Sequence, residues 1–237
     1  MTIRRFFCDN IVGDSVVILG QEHRHLANVL RCVVGDTVIL WCGDGYDYLS
    51  QISCISKDST TLNILSKELN KQEFEKQIVL YLGLLKNSDR MEFAIQKAVE
   101  LGVYKIIPFI SQYTVSKKAN TSRLNSISIS AIKQCGRSKL VEIADTVDFK
   151  KVLQDIQSNP ATIFAYEKAT IPIKFALNSP KLIKASACNV VVGSEGGFSE
   201  DEILQLYETT IVPVSLGNRI LRAETAAIAV MSLLTVG

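Results

Sequence analysis

The distribution of apolar and polar residues divides the chain into two stretches of different character. Residues 1 to about 70 carry short β-type runs at 15–19, 37–41, 48–55 and 61–65, separated by turn signals at Gly13-Asp14, Gly35-Asp36 and Gly43-Asp44-Gly45. This pattern predicts a small β-barrel. One helix interrupts it at 22–30, where HRHLANVLR sets Leu26, Val29 and Leu30 on one face and leaves Arg24 and Arg31 outside. The polar stretch 66–76 reads as an interdomain linker, so the expected domains are 1–70 and 71–237.

From Ile78 onward strand-like and helical patterns alternate, as in an α/β domain with a mostly parallel sheet. Strands are expected at 78–85, 105–110, 162–166, 189–192 and 211–214, and helices at 123–135, 200–207 and 223–234. In DRMEFAIQKAVELG, Asp89 and Glu92 have capping-box spacing, Met91, Ala94, Ile95 and Ala98 share a face, and Gly102 can end the helix.

Composition narrows the class. With 47% hydrophobic and 21% charged residues, the chain can fill a globular core and is not a disordered polymer. A net charge of +2 is too small for a global positive field, so a nucleic acid would have to be held by a local basic surface. Six cysteines without a CxxC pair suit thiols in a reducing compartment rather than a disulfide frame or zinc site, and no metal is expected. MTIRRFFCDN lacks the apolar run of a signal peptide, and no segment reaches the roughly 18 apolar residues of a membrane helix. The expected setting is cytoplasmic, without a membrane.

Two segments carry candidate chemistry. VVVGSEGGFSEDEI sets a strand end against Gly193, Gly196 and Gly197, followed by Ser199 and Glu202 at capping-box spacing. Glycines allow a ligand to approach the backbone closely. The spacing is neither GxGxxG nor GxxxxGK[ST], so a dinucleotide fold and a P-loop are poorly supported. VSLGNRILRAETAAIAV repeats the plan, with a turn at Gly217, a polar cluster and a helix of small residues. Either segment alone could be a capped turn; as a pair at the ends of successive strands they point to a ligand site.

GSEGGFSEDEI followed by SLGNRILRAETA resembles the C-terminal signature of the RsmE-like family, the ribosomal RNA uridine N3-methyltransferases. KNSDRMEFAIQKAVELGV, QCGRSKLVEI, RRFF and HRHLANVLR extend the resemblance over nearly the whole chain. Ser194 stands where the family usually has proline, and Ala223 where threonine is common. The resemblance implies a PUA-like N-terminal barrel and a C-terminal SPOUT domain threaded into a trefoil knot. It also implies S-adenosylmethionine as cofactor, small-subunit (16S) ribosomal RNA as substrate, methylation at uridine N3, and a homodimer.

On that resemblance the cofactor is expected at Tyr166, Gly193, Glu195, Gly196, Gly197, Phe198, Leu216, Gly217, Ile220, Leu221 and Arg222. Methyl transfer to a ring nitrogen requires in-line positioning and loss of the imide proton. Arg222 is the candidate for stabilising negative charge on the base and Glu224 for accepting the proton; a salt bridge or a helix cap would equally account for both. RNA contacts are expected from Arg5, Arg24, Arg31, Lys86, Gln134, Arg137 and Arg219, with Arg4, Lys117, Lys118, Arg123, Lys133 and Lys139 as further cations. Trp41, Tyr46 and Tyr48 fit barrel core, and His23 and His25 lack the partners of a metal or acid-base site. Two competing readings are a non-catalytic RNA-binding or assembly factor and a SPOUT methyltransferase acting on another RNA site. The glycine loop speaks against the first, and the barrel with HRHLANVLR against the second.

Overall fold

The structure, a computed structural model, describes residues 3–159 and 161–236. The chain forms two compact units, Met1–Glu73 with Ile132–Leu140, and Phe74–Ala131 with Val141–Gly237.

The first unit is a curled five-stranded sheet of β1 (Arg5–Phe7), β2 (Ser15–Leu19), β3 (Thr37–Trp41), β4 (Tyr46–Ile55) and β5 (Ser59–Leu69), in the order β1-β3-β4-β5-β2. Its pairs are antiparallel except β1 with β3, and two register shifts between β4 and β5 bend the sheet. Phe6, Leu26, Leu40, Ile52 and Leu62 fill the interior. Trp41 and Tyr48 are buried, and Lys67 lies 4.0 Å from the centre of the Tyr46 ring. The helix expected at 22–30 starts earlier, as α1 (Gly20–Arg24), and continues as one π-turn, His25–Val29. There Leu30 N donates to His25 O at 2.9 Å, a five-residue step that turns the helix face, so Leu26 is buried while Val29 is exposed. His23 is a satisfied core residue, its Nδ1 2.8 Å from Thr60 Oγ1 and its Nε2 3.2 Å from the Lys57 carbonyl.

The polar stretch 66–76 is not a free linker. Residues 66–69 continue β5, and the buried Asn70 amide donates to Asp47 and to the Gly136 carbonyl. Arg5 and Ser138 complete this network on Asp47.

The second unit contains β6 (Gln77–Gly83), α2 (Ser88–Glu100), β7 (Lys105–Ile110), α3 (Thr121–Cys135) up to Ala131, β8 (Glu142–Ile143), β9 (Val147–Asp148), α4 (Phe149–Ser158) and β10 (Thr162–Ala165). It continues through α5 (Ile173–Leu177), α6 (Pro180–Lys184), β11 (Ala187–Val192), α7 (Glu200–Tyr207), β12 (Pro213–Val214) and α8 (Ala223–Thr235). All pairs in its sheet are parallel, in the order β12-β10-β11-β6-β7-β8, with β9 also on β7. The central strands are apolar runs buried on both faces, as helix-covered parallel sheets require.

Helix α2 buries Met91, Ala94, Ile95 and Ala98 as its spacing predicts, and Gly102 follows it at φ +84. Its cap, however, is Asn87, whose Oδ1 accepts from Asp89 N (2.8 Å) and Arg90 N (3.2 Å). The capping box expected from Asp89 and Glu92 does not form, because the chain turns two residues earlier and Glu92 pairs with Arg123 at 2.8 Å. Among the described residues, no cysteine forms a disulfide. Among the described residues, no helix is long and apolar enough to cross a membrane.

Candidate active site

Three parallel strands of the second unit end level with one another: Ala165 pairs with Val192 on one side and with Val214 on the other. Side chains and backbone beyond these strand ends enclose a cavity of about 450 Å³, within the range of small-molecule sites.

The loop after β11 forms one wall. Gly197 N donates to Ser194 O at 3.0 Å, closing a turn across Glu195 and Gly196. Phe198 then inserts into the core, its ring centre 4.8 Å from Phe164 and 5.4 Å from Phe149. This insertion explains Gly193, where a Cβ would lie 2.9 Å from the Phe198 ring. Gly196 is required by a different neighbour: a Cβ there would lie 2.7 Å from Tyr113 Cβ and 2.8 Å from its carbonyl oxygen. The Glu195 carboxylate accepts from Lys86 N at 3.2 Å. Ser199 and Glu202 form the expected capping box at the start of α7.

The second wall runs from Ser215 to Arg222, with Gly217 at φ +117. Ser215 Oγ accepts from Gly217 N at 3.2 Å and so fixes this turn. The third wall is Ala165–Glu167 after β10, anchored by Tyr166 N donating to Val214 O at 3.0 Å. Burial, with the nearby Glu167 next, pushes the Tyr166 phenol above its ordinary pKa and keeps it protonated. Arg90, from the first turn of α2, reaches the cavity from a different layer.

Tyr166, Gly193, Glu195, Gly196, Gly197, Phe198, Leu216, Gly217, Ile220, Leu221 and Arg222 all border this single cavity. Arg219, expected at RNA, borders it too. Sequence reasoning missed Arg90, although it lies within KNSDRMEFAIQKAVELGV, and Ser194 and Ala223, which the sequence marks only as departures from the family pattern.

Glu224 does not border the cavity. It is 8% exposed, its Oε1 stands 3.7 Å from Arg90 Nε, and its Oε2 is buried without a partner. The first turn of α8 packs this side chain toward α2, so Glu224 contacts the cavity residue Arg90 and not the cavity itself.

The expected RNA contacts fall into two groups. Arg24, Arg31, Lys86, Gln134 and Arg219 are exposed, as are Arg4, Lys117 and Lys118. Arg5 and Arg137 are instead held in ion pairs inside the first unit. Arg5 donates to Asp47 at 2.8 Å and to the Arg137 carbonyl at 3.0 Å. Arg137, 4% exposed, donates to Glu73 at 2.9 Å. Neither guanidinium offers a free face to a phosphate. Lys133 is likewise paired with Glu22 at 2.7 Å, and Lys139 N donates to Glu73.

Comparison with known proteins agrees with this arrangement. Residues 72–235 match the model of an RNA methyltransferase domain, and residues 18–65 that of an RNA methyltransferase PUA domain. The chain is 31% identical to ribosomal RNA small subunit methyltransferase E of Bacillus subtilis, over 91% of this chain and 87% of that one. It is 32% identical to the protein of the same name from Rickettsia conorii, over 95% and 91%. Its structure superposes with a TM-score of 0.89 on ribosomal RNA small subunit methyltransferase E from Neisseria gonorrhoeae bound to S-adenosyl methionine, at 28% identity, covering 99% of this chain and 98% of that one.

Proposed function

From the premise that this chain belongs to the ribosomal RNA small subunit methyltransferase E family, we propose that it transfers the methyl group of S-adenosylmethionine to N3 of a uridine in 16S ribosomal RNA. The observation that carries this reading is the cavity at the ends of β10, β11 and β12, bordered by every residue that the sequence marks for the cofactor.

The donor set suits that cofactor. S-adenosylmethionine presents an ammonium, a carboxylate, a sulfonium and a purine. Glu167 and Glu195 offer negative charge, Arg90, Arg219 and Arg222 offer positive charge, and the glycine loop offers backbone groups unscreened by side chains. Tyr166, Gly193, Glu195, Gly196, Gly197, Phe198, Leu216, Gly217, Ile220, Leu221 and Arg222 would hold it. When bound, it supplies an electrophilic methyl group.

The residues of the chain perform the remaining work. Phe198, Leu216 and Leu221 shield the cavity from water, which strengthens the charges within it. Arg222 stabilises the negative charge that develops on uracil as the N3 proton passes to solvent. Glu224 acts through Arg90, holding that guanidinium at the cavity wall. The target uracil must be unstacked to bring N3 into reach, since N3 is engaged in ordinary pairing.

The first unit, with its PUA-type segment, is assigned to RNA binding through Arg24, Arg31 and Gln134, and in the second unit Lys86 and Arg219 are assigned to the same substrate. A homodimer in the cytoplasm completes the reading: Ile220 is 87% exposed beside the cavity, and Leu233 and Val236 are exposed at the end of α8, apolar surface that a second copy would cover.

The test is incubation with labelled S-adenosylmethionine and small ribosomal subunits from cells lacking the modification, followed by nucleoside mass spectrometry. Label in N3-methyluridine is the expected result. Label in another nucleoside would refute the N3 assignment, and absence of cofactor binding would refute the enzyme reading.

A further inference from the structure

A loop containing three glycines loses more conformational freedom on ordering than one built from other residues, so it needs external support to present a fixed surface to a ligand. The support comes from residues outside the cavity. Beyond the end of β7, Ser111 to Thr114 form a tight turn in which Thr114 N donates to Ser111 O at 3.0 Å and Ser111 N donates to Thr114 Oγ1 at 2.9 Å. Ser111 and Thr114 are each 3% exposed.

This turn grips the glycine loop at successive points. Ser111 Oγ donates to the Gly197 carbonyl at 3.3 Å, and Thr114 Oγ1 donates to Ser194 Oγ at 3.4 Å. Tyr113 packs against Gly196 closely enough to exclude any Cβ there. Glu202 ties both segments together: Oε1 accepts from Gln112 N at 2.8 Å, and Oε2 accepts from Ser199 N at 2.9 Å. The Glu202 side chain is 7% exposed, so each carboxylate oxygen depends on its own amide.

We propose that Ser111, Thr114 and Glu202 are positioning residues that hold the loop from Gly193 to Phe198 in its ligand-binding shape, attached respectively at the Gly197 carbonyl, the Ser194 hydroxyl and the Ser199 amide that follows the loop. Ser194 is 7% exposed, and its hydroxyl gives the turn a grip that a side chain without a polar atom would not. The effect on cofactor affinity rests on the function proposed above; the effect on the loop does not.

The test uses the full-length protein with Thr114→Val, which keeps the shape but removes the hydroxyl, and Thr114→Ser, which keeps the hydroxyl. Glu202→Gln is the second, independent variant. Glutamine serves in a capping box as glutamate does, so α7 retains its start while one of the two amides loses its carboxylate oxygen.

Thr114→Val removes the hydroxyl that accepts from Ser111 N and donates to Ser194, and Glu202→Gln removes one carboxylate acceptor; each is expected to raise the Kd for S-adenosylmethionine about five- to tenfold, with kcat at saturating cofactor unchanged. Thr114→Ser restores wild-type affinity. In the absence of ligand, hydrogen exchange at Gly197 N accelerates by a similar factor in both defective variants, while Ala94 and Ile95 in α2 keep their wild-type rates.

Wild-type exchange at Gly197 in both variants overturns the proposal. So does an unchanged Kd in a wild-type protein that binds the cofactor. If the wild-type protein does not bind S-adenosylmethionine, the proposed function fails, and exchange at Gly197 still decides whether the turn holds the loop.

Discussion

Arg90 Nε stands 3.7 Å from Glu224 Oε1, which joins the first turn of α2 to the first turn of α8 across the edge of the cavity. Only one member of the pair borders that cavity. The second carboxylate oxygen of Glu224 is buried and unpartnered, so the charge of this side chain depends on Arg90 for compensation.

Glu224→Gln keeps the shape of the side chain and removes the charge that orients Arg90. The expected result is a kcat lowered about tenfold with Kd for S-adenosylmethionine within about twofold of wild type, read from single-turnover methylation and calorimetry. A loss of about 10²–10⁴ would identify Glu224 as the proton acceptor and sink the positioning role.

Gly196→Val places a branched side chain where Tyr113 already lies 2.7 Å from the position of a Cβ. The loop must move away, at a cost of about 1–3 kcal/mol. Cofactor affinity should fall at least tenfold while the circular dichroism spectrum remains that of the folded protein. Unchanged affinity in a folded variant would remove the loop from the binding site.

Arg137→Ala leaves Glu73 without its buried partner and should destabilise the first unit by about 3 kcal/mol, measured by urea unfolding monitored at Trp41. Methylation should then follow the folded fraction. A fully stable variant with selectively weakened RNA binding would return Arg137 to the RNA surface.

Asp47 gives the first unit a definite acid sensitivity. Burial alone would raise its pKa, but hydrogen bonds from Arg5, Ser138 and Asn70 outweigh burial and hold the carboxyl below its ordinary value of 3.8. A depressed carboxylate contributes stability above the unfolded-state pKa and loses it as pH falls through the lower folded value. Unfolding of the first unit should therefore become easier below about pH 4. Asp47→Asn should be less stable at neutral pH and show a flatter acid limb; an identical limb would assign the acid sensitivity elsewhere.

What the sequence made legible was what local chemistry encodes. Helix α7 was read with its correct ends because Ser199 and Glu202 announce its start, and the cavity walls were read because two glycine loops follow apolar strands. Helix α4 was overlooked although Asp148 caps it and Phe149, Val152, Leu153 and Ile156 have helical spacing, so that signal was available. The π-turn at His25–Val29 carries no comparable signal, and an ordinary helical period placed Val29 on the wrong face. Other features depend on partners far away in the chain. The second oxygen of Glu202 meets Gln112, Arg90 meets Glu224, and Arg137 meets Glu73, each at a separation no local pattern spans. The residue type of Arg137 is visible in QCGRSKLVEI, whereas its ion pair with Glu73 is not.

The parallel sheet also governs how the protein emerges during synthesis. β6 lies at the centre, yet its partner β11 pairs with it from 110 residues further along the chain. At roughly 5–20 residues per second, one side of β6 must wait about 5 to 20 seconds for that partner while the nearer β7 is already available. During this interval the apolar run IVLYL presents an open hydrogen-bonding edge, the kind of surface on which unfinished chains associate. Occupancy by a chaperone during translation should therefore peak after β7 has left the ribosomal tunnel and decline once Val192 has followed it.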